Sequence, residues 1–263
     1  SGSVAVHRIF SCQPRIMPSE DKPKRTREEK EARAARKAAK KASKLAVVAA
    51  APEAANGGAA VAERFDSFAQ TPFAPQVRAA LTKAYASPTE IQSLAWPAAL
   101  SGKDLIAVAK TGSGKTLAFV LPILHELSTP TPPTAKAVVR GLVLSPTREL
   151  ASQIHVEAER YGTLLGLKTA CLYGGTPVRE QIAALASRHP SLVVATPGRL
   201  VDLLNQKALR LDGCTHIALD EADRLLDMGF KPQLEATYAA LPAERQTLLF
   251  SATWPKAVRK LAS

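Results

Sequence analysis

Ala109-Lys110-Thr111-Gly112-Ser113-Gly114-Lys115-Thr116 lies between an apolar run from Asp104 to Val108 and a helical pattern from Leu117 to Leu127. Strand, glycine-rich loop and helix in that order are what a phosphate-binding loop requires. Glycines let backbone N–H groups curl around an anion, and the start of the following helix adds positive potential. Lys115 has the reach for the β- and γ-phosphates of a nucleotide, and the Thr116 hydroxyl can ligate Mg²⁺. Ala109 stands where the general pattern has its first glycine. The plainer reading is a glycine-rich turn before a helix.

Outward from this loop, from Phe65 onward, short β-rich runs alternate with amphipathic segments, the pattern of a parallel sheet with crossover helices. Strands are expected over Asp104 to Val108, Gly141 to Ser145, Lys168 to Tyr173, Leu192 to Ala195, His216 to Leu219 and Thr247 to Phe250. They are mostly apolar throughout, as strands covered on both faces should be. Helical patterns run from Leu117 to Leu127, Glu149 to Leu165, Val178 to Ser187 and Gln233 to Leu241, and the proline-bearing stretch from Ser128 to Lys136 reads as a surface connection. The unusual polar motifs each follow a strand: the phosphate loop, Pro146-Thr147-Arg148-Glu149, Gly174-Gly175, Thr196-Pro197-Gly198-Arg199, Asp220-Glu221 and Ser251-Ala252-Thr253. In a parallel sheet the strand C-termini share one edge, so these signals converge on one crevice.

Asp220 and Glu221 close a strand that reads as buried. Adjacent carboxylates are costly there unless a cation or a water network compensates them. Mg²⁺ bound to a nucleotide would do so, with Asp220 as a direct or water-mediated metal partner and Glu221 orienting or deprotonating an attacking water. Alone, such an acidic tetrapeptide is more often a solvated loop or a helix start.

Charge is uneven along the chain. Residues 1–64 carry 14 Lys/Arg against 7 Asp/Glu, leaving 21 against 16 for the rest of a chain of net charge +12. That first stretch has almost nothing to bury and reads as a disordered or transiently helical basic tail, with residues 65–263 as the folded domain. It is either a basic arm for nucleic acid or a solvated charge run, and dispersed Lys/Arg also serve as a nuclear address, so nucleus or nucleolus is the expected location. Met17-Pro18-Ser19-Glu20 reads like a natural start, with a transit peptide over residues 1–16 as the alternative. Cys12, Cys171 and Cys214 are far apart and without a Cys-x-x-Cys pair, which favours reduced intracellular thiols over a metal site. No apolar run reaches the roughly 18 residues of a membrane span.

Together the motifs resemble those of the DEAD-box RNA helicases of superfamily 2. Asp220-Glu221-Ala222-Asp223 spells that family's name, and the similarity covers roughly Phe65 to Ser263 with the motifs in the family's order. The resemblance implies the N-terminal RecA-like P-loop domain, an α/β fold with a central, mostly parallel sheet flanked by helices. Tyr85-Ala86-Ser87-Pro88-Thr89-Glu90-Ile91-Gln92 looks like the Q motif, with Phe68 in the place of its upstream aromatic. By that likeness Gln92 hydrogen-bonds the adenine edge and Phe68 stacks on the ring, joining Ala109 through Thr116 as the nucleotide contacts. Ala84 and Glu90 depart from the glycine and proline common at those places.

Pro146, Thr147 and Arg148, then Gly174 and Gly175, then Thr196, Pro197, Gly198 and Arg199 resemble the family's RNA-binding motifs. Contacts of this kind meet phosphates and 2′-hydroxyls and carry little sequence specificity. Structural salt bridges are the alternative role for Arg148 and Arg199. Ser251-Ala252-Thr253 resembles the coupling motif, whose hydroxyls meet the last acid of the tetrapeptide, here Asp223; for Ser251 a helix N-cap is the alternative. Asp227-Met228-Gly229-Phe230 also matches the family and is given a structural role. The implied catalytic set is Lys115, Asp220, Glu221, Asp223, Ser251 and Thr253, with Thr116 and Asp220 toward the metal.

The implied activity is ATP-dependent RNA unwinding, with ATP, Mg²⁺ and RNA as ligands, room for an activating protein partner, and no membrane. Family members carry a second RecA-like domain that supplies arginine fingers and the other half of the RNA groove, and nothing in these 263 residues is expected to be that domain. Losing an arginine finger costs about 10³ to 10⁵ in rate, so the chain alone is expected to bind nucleotide and turn over poorly. Phosphate loop and carboxylates alone would also fit a DNA-directed translocase or another P-loop ATPase. A third reading is a non-enzymatic adaptor that binds RNA or protein through its basic tail.

Overall fold

Strands that are apolar on both faces need helices above and below. The computed structural model describes residues 4–7, 46–50, 63–129, 139–253, 255, 256 and 258. Two short strands, β1 (Val4–His7) and β2 (Ala46–Ala50), precede β3 (Leu105–Val108), β4 (Gly141–Leu144), β5 (Thr169–Leu172), β6 (Leu192–Ala195), β7 (His216–Leu219) and β8 (Gln246–Ser251). The last six are parallel, in the order β3-β8-β7-β4-β6-β5. All six were expected from the sequence: β6 and β7 have the expected bounds, and the other four differ by one residue at one or both ends.

Alternation along each strand divides the core in two. Val143, Val194, Ala218 and Leu248 face helices α1 (Pro75–Ala84), α2 (Glu90–Leu100), α3 (Lys115–Ser128) and α4 (Arg148–Leu164). Leu142, Val193, Ile217 and Leu249 face α5 (Val178–Arg188), α6 (Pro197–Asn205), α7 (Ala222–Asp227) and α8 (Lys231–Ala240). Among the described residues no helix is long and apolar enough to cross a membrane.

Within the segment expected to be an unstructured tail, β1 and β2 are extended and pair with β3. Ala5 lies opposite Val108 in the antiparallel pairing, and Ala46 opposite Leu105 in the parallel one. Residues 8–45 and 51–62, which hold most of that tail and its charge, lie outside the described residues. So do residues 130–138, which take in all of the expected proline-bearing connection but Ser128 and Thr129.

Pro97 sits inside α2 and shapes the entry to the domain. A proline has no N–H, so the carbonyl four residues earlier loses its helical partner. That carbonyl, on Ser93, accepts instead from the Phe65 N–H at 3.1 Å, while Ser93 Oγ donates to Asp66 Oδ1 at 3.3 Å. The incoming chain is thereby fixed to α2 and delivers Phe68, in a short 3-10 turn over Phe68–Gln70, to the ring of Trp96 at a centroid distance of 6.2 Å. Trp96 Nε1 in turn donates to Leu117 O at 3.1 Å, in the first turn of α3. Aromatic packing therefore braces the helix that follows the phosphate loop.

Candidate functional site

Between β3 and α3 the chain turns through Gly112 and Gly114, at φ +78° and +89°. At Gly114 a side chain would be strained by the positive φ, and its Cβ would stand 2.7 Å from both Gln92 Nε2 and Thr89 Oγ1, so those side chains would have to move. Ala109 needs no such freedom. It is buried, has no positive φ, and continues the sheet by donating its N–H to Ser251 O at 2.9 Å. The departure from the usual first glycine is thus harmless.

Two charged groups are sunk at this edge. Lys115 is 6% exposed and its Nζ has no hydrogen-bond partner; Ser113 Oγ beside it in the chain is also buried and unpartnered. Asp220 is 3% exposed. Burial pushes its carboxyl up to about 6; the Lys115 charge pulls the other way, and Glu221 and Asp223 push it further up. An ammonium without an acceptor and a carboxylate that resists ionisation are the two halves of a site suited to a polyanion with its cation.

Gln92 is 5% exposed and bridges two elements. Its Oε1 accepts from the Thr89 N–H at 3.0 Å, and its Nε2 donates to Gly114 O at 3.0 Å. A glutamine amide has two N–H donors and two acceptor lone pairs, so one of each is left over. Phe68 is buried against Trp96, so its present ring partner is protein.

At the end of β7, Glu221 adopts a left-handed backbone, φ +49° and ψ 53°, at the N-cap of α7. For a residue with a Cβ this costs about 1 kcal/mol or more. Its carboxylate accepts from Arg224 Nη1 at 3.1 Å. Asp223, the second residue of α7, ties that helix to the end of β8. Its Oδ2 accepts from Thr253 N at 2.9 Å and Thr253 Oγ1 at 2.7 Å. The Asp223 N–H donates to Ser251 Oγ at 3.3 Å, and that hydroxyl donates to Thr253 O at 2.7 Å. Partial burial raises the Asp223 carboxyl, but hydrogen bonds led by Thr253 and Ser251 outweigh it and hold the group below the usual range. Ser251 is not the N-cap residue of α7, which is Glu221, but its hydroxyl reaches a first-turn N–H of that helix from β8.

Farther along the same edge, Pro146, Arg148, Gly174, Thr196, Gly198 and Arg199 line a cleft of about 420 Å³ together with Asp202 and Phe230. Thr147 and Pro197, expected with them, are used by the helices: Thr147 Oγ1 caps α4 by accepting from Leu150 N at 3.3 Å, and Pro197 is the buried first residue of α6. Gly175 has φ +89°, and a Cβ on it would lie 3.2 Å from Arg148 Nη1. Arg148 is exposed and paired with Glu149 at 2.7 Å, each favouring the charged form of the other. Arg199 is only 9% exposed: Nη2 donates to Thr176 O at 2.9 Å, Nε is 3.7 Å from Asp202 Oδ2, and the buried Nη1 has no partner. The structural role weighed for Arg199 is present, with one donor in reserve.

A model of the DEAD/DEAH box helicase family matches residues 89–261. The chain belongs to that family. It is 46% identical over 199 residues to DEAD-box ATP-dependent RNA helicase 14 of Arabidopsis thaliana, covering 75% of this chain and 32% of that protein. Against the pre-mRNA-processing ATP-dependent RNA helicase PRP5 of Mycosarcoma maydis it is 48% identical over 181 residues, 68% of this chain and 16% of the relative. The crystal structure of a DEAD box protein from the hyperthermophile Methanococcus jannaschii matches with a TM-score of 0.68 at 33% identity, over 76% of this chain and 53% of that one. The chain thus spans a third or less of the length of these two curated relatives.

In this DEAD/DEAH box helicase domain the RecA-like sheet is as expected. Several residues at its edge had no signal in the sequence. Gln181 falls within the expected helix from Val178 to Ser187 with nothing to single it out, Asp202 and Arg224 lie on helices that the sequence does not announce, and Phe230 reads as structural. Their place beside the site follows from contacts that only the packed helices create.

Proposed function

We propose that this domain is the ATP- and RNA-binding half of an ATP-dependent RNA helicase, acting with a second RecA-like domain. The reading is supported most directly by the buried, unpartnered Nζ of Lys115 at the head of α3, a cation placed for nucleotide phosphates. Loop N–H groups and Lys115 bind the phosphates, and Gln92 reads the adenine edge with its unused donor and acceptor. Thr116 and Asp220 would hold Mg²⁺, and a cation there would favour the ionised form of the raised Asp220 carboxyl. Mg²⁺ supplies charge neutralisation on the phosphates when bound. Glu221 orients the attacking water.

Arg148, Gly174 and the spare donor of Arg199 take the RNA backbone in the cleft. The Asp223–Thr253 bonds connect the two ligands by tying the nucleotide-side acid to the end of β8. The test is the ATPase rate of the intact protein with single-stranded RNA and with DNA of the same sequence. Stimulation by RNA alone is expected; equal stimulation contradicts the RNA assignment. The basic residues 1–64 are proposed as a nuclear address, and exclusion of a fluorescent fusion of that segment from the nucleus would refute this.

A further inference from the structure

The Gly174-Gly175 turn forms one wall of the cleft and is held from two sides. From α6, Arg199 Nη2 reaches Thr176 O. From α5, Gln181 Nε2 donates to Tyr173 O at 3.0 Å and to Thr176 Oγ1 at 2.7 Å. Thr176 Oγ1 itself donates to Tyr173 O at 3.3 Å. Both amide hydrogens of Gln181 are therefore committed, one to each end of the segment 173–176. At 9% exposure the side chain has little water to exchange them for.

Glycine at the two central positions permits this turn but does not select it, since a glycine pair has many other conformations open to it. Selection has to come from side chains that grip the flanking residues. We propose that Gln181 is a positioning residue for RNA binding: by holding Tyr173 and Thr176 it keeps Gly174 in the cleft wall and Gly175 beneath Arg148. This rests on the reading of the cleft as the RNA site. Gln181 touches no RNA itself. Its effect is to supply in advance the order that the turn would otherwise have to gain on binding.

Gln181→Met keeps the length and packing of the side chain and removes both donors. In the intact protein, fluorescence anisotropy with a labelled single-stranded RNA is expected to show binding roughly fivefold weaker. The ATP dissociation constant measured without RNA stays as in wild type, and amide hydrogen exchange accelerates at 173–176. Unchanged RNA affinity overturns the proposal, and so does an equal loss of RNA and ATP affinity, which marks general loosening of the domain. Gln181→Glu, which keeps the shape but puts an acceptor against Tyr173 O, gives the same comparison if Q181M folds poorly. Arg148→Ala separates this from the reading beneath it: if that variant binds RNA as wild type does, the cleft is not the RNA site and the proposal falls with it.

Discussion

The phosphate loop and the arginine-lined cleft share one sheet edge but hold charge in opposite ways. At the loop, Lys115 and Asp220 are buried, Lys115 lacks a hydrogen-bond partner, and Glu221 stands in a strained backbone. In the cleft, Arg148 is exposed and already paired with Glu149, and Arg199 is bonded to Thr176 and near Asp202. The first region is costly until its ligand arrives. The second holds most of its charge in protein contacts beforehand, with the buried Nη1 of Arg199 left over, so its ligand must compete with protein partners for the rest. On the proposed function, a nucleotide site that depends on its ligand and a nucleic-acid site that releases its own readily suit cycles of gripping and letting go of RNA.

The sharpest way to break that contrast is Lys115→Ala. Loss of a charge-assisted contact to phosphate amounts to about 2–3 kcal/mol, on the order of a 30- to 140-fold rise in the ATP dissociation constant. RNA binding measured without nucleotide should not change, because the cleft does not use Lys115. A variant that binds ATP as wild type does would remove the phosphate-loop assignment.

Asp220→Asn tests the cost at the loop. The Asp220 carboxyl lies at about 6 in the folded protein against 3.8 for an ordinary aspartate, so between those values the folded state holds a proton that the unfolded state has released. Stability of the nucleotide-free protein therefore falls as pH rises through that window. At pH 7.5 the asparagine variant should be more stable to unfolding by on the order of 1–3 kcal/mol and melt at a higher temperature, and the gain should vanish toward pH 4. A lower melting temperature at pH 7.5 without nucleotide would show that Asp220 is compensated by something else.

The smallest effect is expected in the cleft. Glu149→Ala frees the Arg148 guanidinium and should tighten RNA binding a few-fold, while Arg148→Ala should weaken it and lower the salt slope of binding by about one. Weaker RNA binding by the Glu149 variant would mean that the pair is needed intact.

How much of this was legible depends on the range of the contacts involved. The six parallel strands read directly from apolar runs, and the motifs at their ends were located by strand order alone. α2 was not read as a helix: its buried residues lie nearly all round it, and Pro97 interrupts the pattern. α7 is too short to show a period. Gln92 was picked out by resemblance, yet its bond to Gly114, 22 residues away, belongs to the fold. Gln181 gave no sign at all, since a glutamine within a helix looks the same whether it meets water or the carbonyl of Tyr173.

On the proposed function, one sheet edge holds two ligands joined through Asp223, Ser251 and Thr253. The direct measurement is the ATP dissociation constant of the intact protein with and without saturating RNA, in wild type and in Thr253→Ala. Reciprocal coupling requires RNA to tighten ATP binding in wild type and the effect to shrink in the variant, which lacks the 2.7 Å hydroxyl bond to Asp223. An ATP affinity indifferent to RNA in wild type, or coupling unchanged in Thr253→Ala, would contradict it.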